Sequence, residues 1–200
     1  MNSTPILLAS RSAARVSMLK AAGVVFAAVP SSVDERAVEI PLIASGASPA
    51  EVALALADAK AVDISTQSRD ALVIGADQTL DLDGARWTKP ETAAMAREQL
   101  ARLSGRTHQL HSAVAIALDG AVTWRHVGTA SLTMRALTAA AIDAYLAEVG
   151  DAALASVGAY QLEGAGVRLF DTIDGDYFTI LGLPLLPLLA RLREEGAVAW

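Results

Sequence analysis

A short apolar run, residues 71–76, ends on an acid, Asp77, and this junction constrains the chain more than any other. The run reads as a buried strand. Ligands in open α/β sheets gather just beyond the carboxyl ends of strands. After the Asp83-Gly84 turn comes Trp87-Thr88-Lys89-Pro90, so a lysine follows the acid at short range. A carboxylate and an ammonium held on loops by rigid elements suit hydrolysis of an anionic, metal-bound substrate. Taken alone, the segment is more simply an acid that starts a turn and an ordinary surface lysine.

The surrounding pattern extends this strand into a sheet. Residues 6–9 read as a strand, Ser12 as the N-cap of a helix to about residue 22, and Gly23 as its end. Residues 24–29 read as the next strand. Ser48-Pro49-Ala50-Glu51 is a capping box with proline at N1, opening a helix to about residue 65. Asp83-Gly84 and Asp119-Gly120 are hairpin signals, the second between long strands 108–118 and 121–134. Helices are expected at 91–103, from the Thr138 cap to about 149, and at 185–195, with a strand at 167–171. Crossover helices mixed with hairpins imply an α/β fold around a mixed sheet. No repeat or linker divides residues 1–200, which read as a single domain.

Composition narrows the function. The chain has 200 residues, 53% of them hydrophobic and 19% charged, with net charge −6 and no cysteine. The low charged fraction favours a compact globule that can hide apolar surface in a dimer. An acidic chain is a poor partner for polymeric nucleic acid, whereas a few local cations still suffice for a small anion. The lack of cysteine excludes disulfides, thiolate catalysis and cysteine-ligated zinc, and suits the cytoplasm. Residues 6–9 are too short for a signal-peptide core, and residues 180–190 carry two prolines and are too short to span a bilayer.

Several segments carry polar residues of interest. In Ser10-Arg11-Ser12-Ala13-Ala14-Arg15, Arg15 falls at N3 of the helix, where a cation opposes the dipole unless an anion sits on the free N–H groups. A plain cap with solvated arginines is the simpler account of that segment by itself. Val33-Asp34-Glu35-Arg36 lies in a loop past a strand, where a carboxylate can hold a hard divalent cation or merely solvate a turn. Lys60 is the one basic residue of its helix. His108, His111 and His126 lack triad partners and zinc spacing and are read as structural. Glycine-rich segments 156–164 and 173–177 match neither a Rossmann fingerprint nor a P-loop.

Together and in order, these segments resemble the Maf family of nucleotide pyrophosphatases, also described as septum-formation inhibitors. The opening S-x-S-P-R-R corresponds to Ser10 through Arg15, V-D-E to Val33-Asp34-Glu35, and L-A-x-x-K-A to Leu56 through Ala61. G-A-D-T corresponds to Gly75-Ala76-Asp77-Gln78, K-P to Lys89-Pro90, and L-S-G-R-T-H to Leu103 through His108. The late motifs correspond to Val157 through Gly164 and to Asp174 through Leu185. The likeness covers residues 6–195. Departures are Ala13 and Ala14 in the opening motif, Gln78 after the aspartate, Ser112-Ala113 after the central strand, and Glu163 for the late glutamine. Gln78 with Glu163 is similar to the subgroup acting on 7-methyl-GTP, while the glycine and tyrosine context is similar to the dTTP/UTP subgroup.

The resemblance implies an elongated two-lobed α/β fold around a twisted mixed sheet, with the site in the cleft, and a homodimer. It implies a nucleoside triphosphate pyrophosphatase that yields monophosphate and pyrophosphate with Mg²⁺ or Mn²⁺, in a housecleaning role. Asp77 is then the proton acceptor, and Glu35 and Asp77 the metal ligands. Lys60 and Lys89 are catalytic cations, and Ser10, Arg11, Ser12, Arg15, Gln78 and Glu163 are substrate contacts. The competing expectation is a nucleotide-binding regulator of cell division that acts through a protein partner without relevant catalysis, and Ala14 is the feature that favours it.

Overall fold

The computed structural model describes residues 4–199, so residues 1–3 and 200 of the expected domain lie outside the described residues. A seven-stranded mixed sheet runs in the order β2-β1-β3-β5-β6-β7, with β4 on β3. β1 (Ile6–Leu8) pairs in parallel with β2 (Ala27–Ala28) and with β3 (Leu72–Leu82). β4 (Ala85–Trp87), β5 (Thr107–Leu118), β6 (Ala121–Met134) and β7 (Phe170–Asp174) continue the sheet antiparallel.

The register of β3 creates the cleft. β5 flanks β3 from Val73 to Asp81. On the opposite side β1 reaches only to Ile74, and β4 takes up pairing only at Leu80. Between these points residues 75–79 have a strand neighbour on one side alone. An open edge in mid-sheet leaves backbone polar groups to be satisfied by side chains or ligand.

Two cores sit on either side of that gap. One gathers Leu8, Leu19, Ile74, Ile116, Leu188 and neighbours under α1 (Ala13–Ala21) and α7 (Leu185–Glu194). The other gathers Leu80, Leu100, Leu103, Leu132, Met134, Ile142 and Tyr160 under α4 (Ala93–Leu103) and α5 (Ala139–Val149). Ala76 belongs to the first and Leu80 to the second, so residues 77–79 lie between two lobes that share one sheet.

α3 (Pro49–Ser65) lies across the middle of the sheet. Its Ala53, Ala57 and Ala61 rest on Ala113, Ala115 and Ala117 of β5, small residues against small residues. The approach is closest at Gly75, where a Cβ would run into the Ala57 carbonyl oxygen and come within 2.6 Å of the Ala61 nitrogen. That glycine is therefore required by space.

Most elements form where the local chemistry predicts. Ser12, Thr92 and Thr138 cap α1, α4 and α5, and Ser48 with Glu51 completes the capping box of α3. Four elements differ from expectation. β3 does not stop at Asp77 but runs to Leu82, because Leu80 and Leu82 carry the inward half of a period-2 alternation past the acid. The strand expected at 24–29 shrinks to Ala27–Ala28, since Val24 turns into the core and Val25 into solvent. Glu35 and Arg36, expected in a loop, instead open a helix, α2 (Glu35–Ala44), capped by Asp34. Its interior Pro41 removes one helix hydrogen bond and masks the pattern. The late strand begins at Phe170, because Ala165–Leu169 coils into a 3-10 turn whose Gly166 packs on the Gln161 backbone.

Candidate active site

Strand alternation decides which face of β3 each polar residue serves. Gly75, Asp77 and Thr79 face α3: Gly75 meets Ala57, Thr79 Oγ1 donates to the Pro49 carbonyl, and Asp77 meets Lys60. Lys60 Nζ donates to Asp77 Oδ1 at 2.6 Å and lies 2.7 Å from Glu35 Oε1. Asp77 and Lys60 side chains are 11% and 12% exposed, whereas Glu35 is 50% exposed at the mouth of the cleft. One ammonium thus ties two carboxylates from different elements, and its burial strengthens both attractions relative to water. Glu35 is at the first position of α2. The chain leading to it is held by Asp63 of α3, whose carboxylate accepts from Ser31 Oγ and from the Ser32 N–H, both at 2.8 Å. Those hydrogen bonds lower the Asp63 carboxyl below its usual range. Sequence reasoning misses Asp63, since an acid on a helix carries no local mark of a distant loop.

Arg15 closes the open edge of β3. Its Nη1 donates to the Ala76 carbonyl at 3.0 Å and to Ser10 Oγ at 3.3 Å, and its Nε donates to the Gly182 carbonyl at 2.8 Å. Burial lowers its pKa, and the charges of Asp77 and Glu35 oppose that shift. The guanidinium therefore braces the strand beside Asp77 and binds the segment after α6 (Tyr177–Ile180) to α1. Ser12 Oγ accepts from the Arg15 N–H at 3.4 Å, leaving the Ala13 and Ala14 amides at the helix start, and Arg11 is exposed.

Gln78 points to the face opposite Asp77. Its Nε2 donates to the carbonyls of Ile180 (2.9 Å) and Thr179 (3.2 Å) and to Ser112 Oγ (2.9 Å). Two carbonyl acceptors fix the orientation of the amide, so its Oε1 is the group left for a ligand. Ser112, which stands where the resembled pattern has threonine, also donates to the Thr179 carbonyl.

Lys89 follows β4 and is exposed, with Thr88 held by Gln99 Nε2 at 2.8 Å. Glu163 is exposed beyond the tight segment Val157–Ala159 and the buried Tyr160. Ser10, Arg11, Ser12, Arg15, Glu35, Lys60, Asp77, Gln78, Lys89 and Glu163 all line one cleft of about 950 Å³. The structure adds a buried ion pair to that lining, Glu39 with Arg86. The histidines stand apart from this chemistry. His108 bonds Tyr160 Oη at 2.7 Å, His111 bonds Thr129, and His126 stacks on Trp124.

Among the described residues no group of three or more histidines or acids converges as a ready-made metal cage. Two carboxylates are nonetheless the protein share that Mg²⁺ typically takes, its remaining positions going to water and phosphate oxygens. Lys60 contacts Asp77 Oδ1 and Glu35 Oε1, which leaves the second oxygen of each carboxylate for such an ion.

A family model described as Maf-like protein matches residues 5–195. The chain is 55% identical over 193 residues to the 7-methyl-GTP pyrophosphatase of Brucella abortus biovar 1 (strain 9-941), covering 96% of this chain and 97% of that relative. It is 57% identical over 193 residues to the 7-methyl-GTP pyrophosphatase of Mesorhizobium japonicum, with the same coverage. It is 51% identical over 201 residues to the nucleoside triphosphate pyrophosphatase of Rhodopseudomonas palustris (strain BisB18), covering 100% of this chain and 98% of that relative. With the split sheet, the acid at its open edge and matches over nearly its whole length, the chain belongs to the Maf-like protein family.

Proposed function

We propose that the protein is a nucleoside triphosphate pyrophosphatase that hydrolyses the α–β phosphoanhydride bond, with a 7-methyl-GTP-type nucleotide as its preferred substrate. The observation that carries this is the Asp77–Lys60–Glu35 cluster, set in a cleft with Arg11 and Lys89. Relatives at 51–57% identity named as pyrophosphatases support the same reaction, and they do not favour a regulator without catalysis.

In this mechanism the nucleotide lies along the cleft with its phosphates near the start of α1. A water attacks the α-phosphorus, and Asp77 accepts its proton. The bond to the bridging oxygen breaks, and pyrophosphate leaves with the electron pair. Lys60 orients Asp77, while Lys89 and Arg11 neutralise charge gathering on the leaving group. A Mg²⁺ or Mn²⁺ ion held by Glu35 and Asp77 would supply further neutralisation and activate the water. The reading of the base rests on Glu163, an acceptor suited to a cationic or N–H-bearing base, with Gln78 Oε1 as a second acceptor.

A homodimer and a cytoplasmic location belong to the same reading. Ile40 and Ile43, exposed on α2, offer apolar surface for the first, and the absence of cysteine suits the second. No described helix is long and apolar enough to cross a membrane. Sedimentation velocity tests the dimer.

The deciding experiment offers 7-methyl-GTP, GTP, dTTP and UTP with Mg²⁺ or Mn²⁺ and detects pyrophosphate and orthophosphate separately. Pyrophosphate released fastest from 7-methyl-GTP is the expected result. Orthophosphate as the first product would overturn the bond assignment, and faster turnover of dTTP or UTP would overturn the base.

A further inference from the structure

Glu39 and Arg86 meet inside the cleft as a two-pronged ion pair. Arg86 Nη1 donates to Glu39 Oε2 at 3.0 Å, and Nη2 donates to Oε1. Their side chains are 11% and 16% exposed. Arg86 Nε is buried without an acceptor, so the guanidinium is held by the carboxylate fork alone. A pair this buried gives little net stability, because desolvating both charges offsets most of their attraction, and two apolar side chains would hold the junction as well. What the fork supplies is direction and distance.

The two residues sit where that matters. Glu39 is one helical turn beyond Glu35 on the same face of α2. Arg86 lies on β4, three residues before Lys89. β4 is fixed to the second core through Trp87, which is buried and covered by Arg102 at 4.5 Å. The Glu39 carboxyl is raised, chiefly by burial, with Arg86 opposing and the charges of Asp77 and Glu35 adding. The pair therefore lies within electrostatic reach of the site acids.

Given the pyrophosphatase reading, we propose that Glu39–Arg86 is a positioning clasp that sets the span between Glu35 on α2 and Lys89 beyond β4, so that both reach one triphosphate. Neither residue touches the reacting atoms. The clasp acts through Lys89 and Glu35, and a displacement of about 1 Å in such groups can cost on the order of a hundredfold in rate.

The test measures kcat, KM and Tm with 7-methyl-GTP for wild type, Glu39→Gln, Arg86→Met, Arg86→Lys and the apolar double variant Glu39→Met/Arg86→Met. Arg86→Met is also placed in a Lys89→Ala background. Arg86→Met and Glu39→Gln are expected to lower kcat about ten- to a hundredfold with little change in KM. Arg86→Lys keeps the charge without the fork and is expected to follow Arg86→Met. The double variant should regain the wild-type Tm while kcat stays low. In the Lys89→Ala background, Arg86→Met should cost less than about threefold more, as residues acting through one another are not additive.

Wild-type kcat in the folded double variant, or fully multiplicative losses with Lys89→Ala, would overturn the clasp. If the single variants do not fold, the double variant decides by the same kcat criterion, and loss of folding there also overturns it, since the junction would then be needed for stability. A wild type that releases no pyrophosphate overturns the pyrophosphatase reading and the clasp with it. An active wild type beside unaffected variants overturns the clasp alone.

Discussion

Lys60 Nζ stands between Asp77 Oδ1 at 2.6 Å and Glu35 Oε1 at 2.7 Å, joining the open edge of β3 to the first turn of α2. Asp77→Asn keeps the shape of the side chain but removes both the charge and the capacity to take a proton. Turnover should fall about a hundred- to ten-thousandfold, the range typical of a lost general base. Nucleotide binding and Tm should change little, because the amide oxygen of the variant can still accept from Lys60. Single-turnover assays with a parallel binding titration check this. A folded variant with most of its activity would remove Asp77 from the role.

Arg15 is expected to show two effects where Arg11 shows one. Removing its guanidinium leaves the carbonyls of Ala76 and Gly182 without donors at a partly buried edge. Arg15→Ala should then lose about 1–3 kcal/mol of stability as well as efficiency on the triphosphate. Arg11→Ala, at an exposed position, should raise KM and leave Tm unchanged. Thermal melts beside steady-state kinetics separate the cases. An unchanged Tm for Arg15→Ala would show that the brace is not needed.

The legibility of this molecule follows the range of its interactions. Ser48 and Glu51 cap each other three residues apart, so the start of α3 is plain in the sequence. The long hairpin at Asp119-Gly120 is plain for the same reason. The candidate site residues stand in the sequence as an ordered set of motifs, and all of them line one cleft. What no local pattern carries is the gap in pairing along β3, which depends on where β1 stops and β4 begins. The hold of Arg15 on Gly182 spans 167 residues, and that of Arg86 on Glu39 spans 47. α2 is hidden by its interior proline, and Glu39 is hidden with it.

His108 should make stability fall in mild acid. It is buried, bonded through Nε2 to Tyr160 Oη, and desolvation lowers its pKa from 6.5 to about 4. The unfolded chain therefore binds a proton between those values that the folded chain refuses. Stability from this group is complete above about pH 6.5 and declines as pH falls toward 4, by at most about 3 kcal/mol. His108→Gln can keep a hydrogen bond to Tyr160 and does not titrate. Urea unfolding of both proteins from about pH 4.5 to 7, the window between the two pKa values, should give a shallower slope for the variant. Parallel slopes would place the proton uptake elsewhere.

Glu163 should choose among bases without setting the rate on a good one. It is exposed on the cleft wall beyond Tyr160, where a carboxylate near a triphosphate would be repelled unless something in the ligand compensates. A base that carries positive charge or presents N–H donors supplies that compensation, because an ionised carboxylate can only accept. Gln78 cannot substitute, because its free Oε1 is a neutral acceptor and brings no negative charge to a cationic base, while its Nε2 is committed to Thr179, Ile180 and Ser112. Glu163→Gln should therefore lower kcat/KM for 7-methyl-GTP relative to UTP and dTTP by about tenfold or more, the scale of one lost charged hydrogen bond. The ratio across the nucleotide panel is the measurement, since it cancels any general loss of activity. An unchanged ratio would show that Glu163 does not read the base.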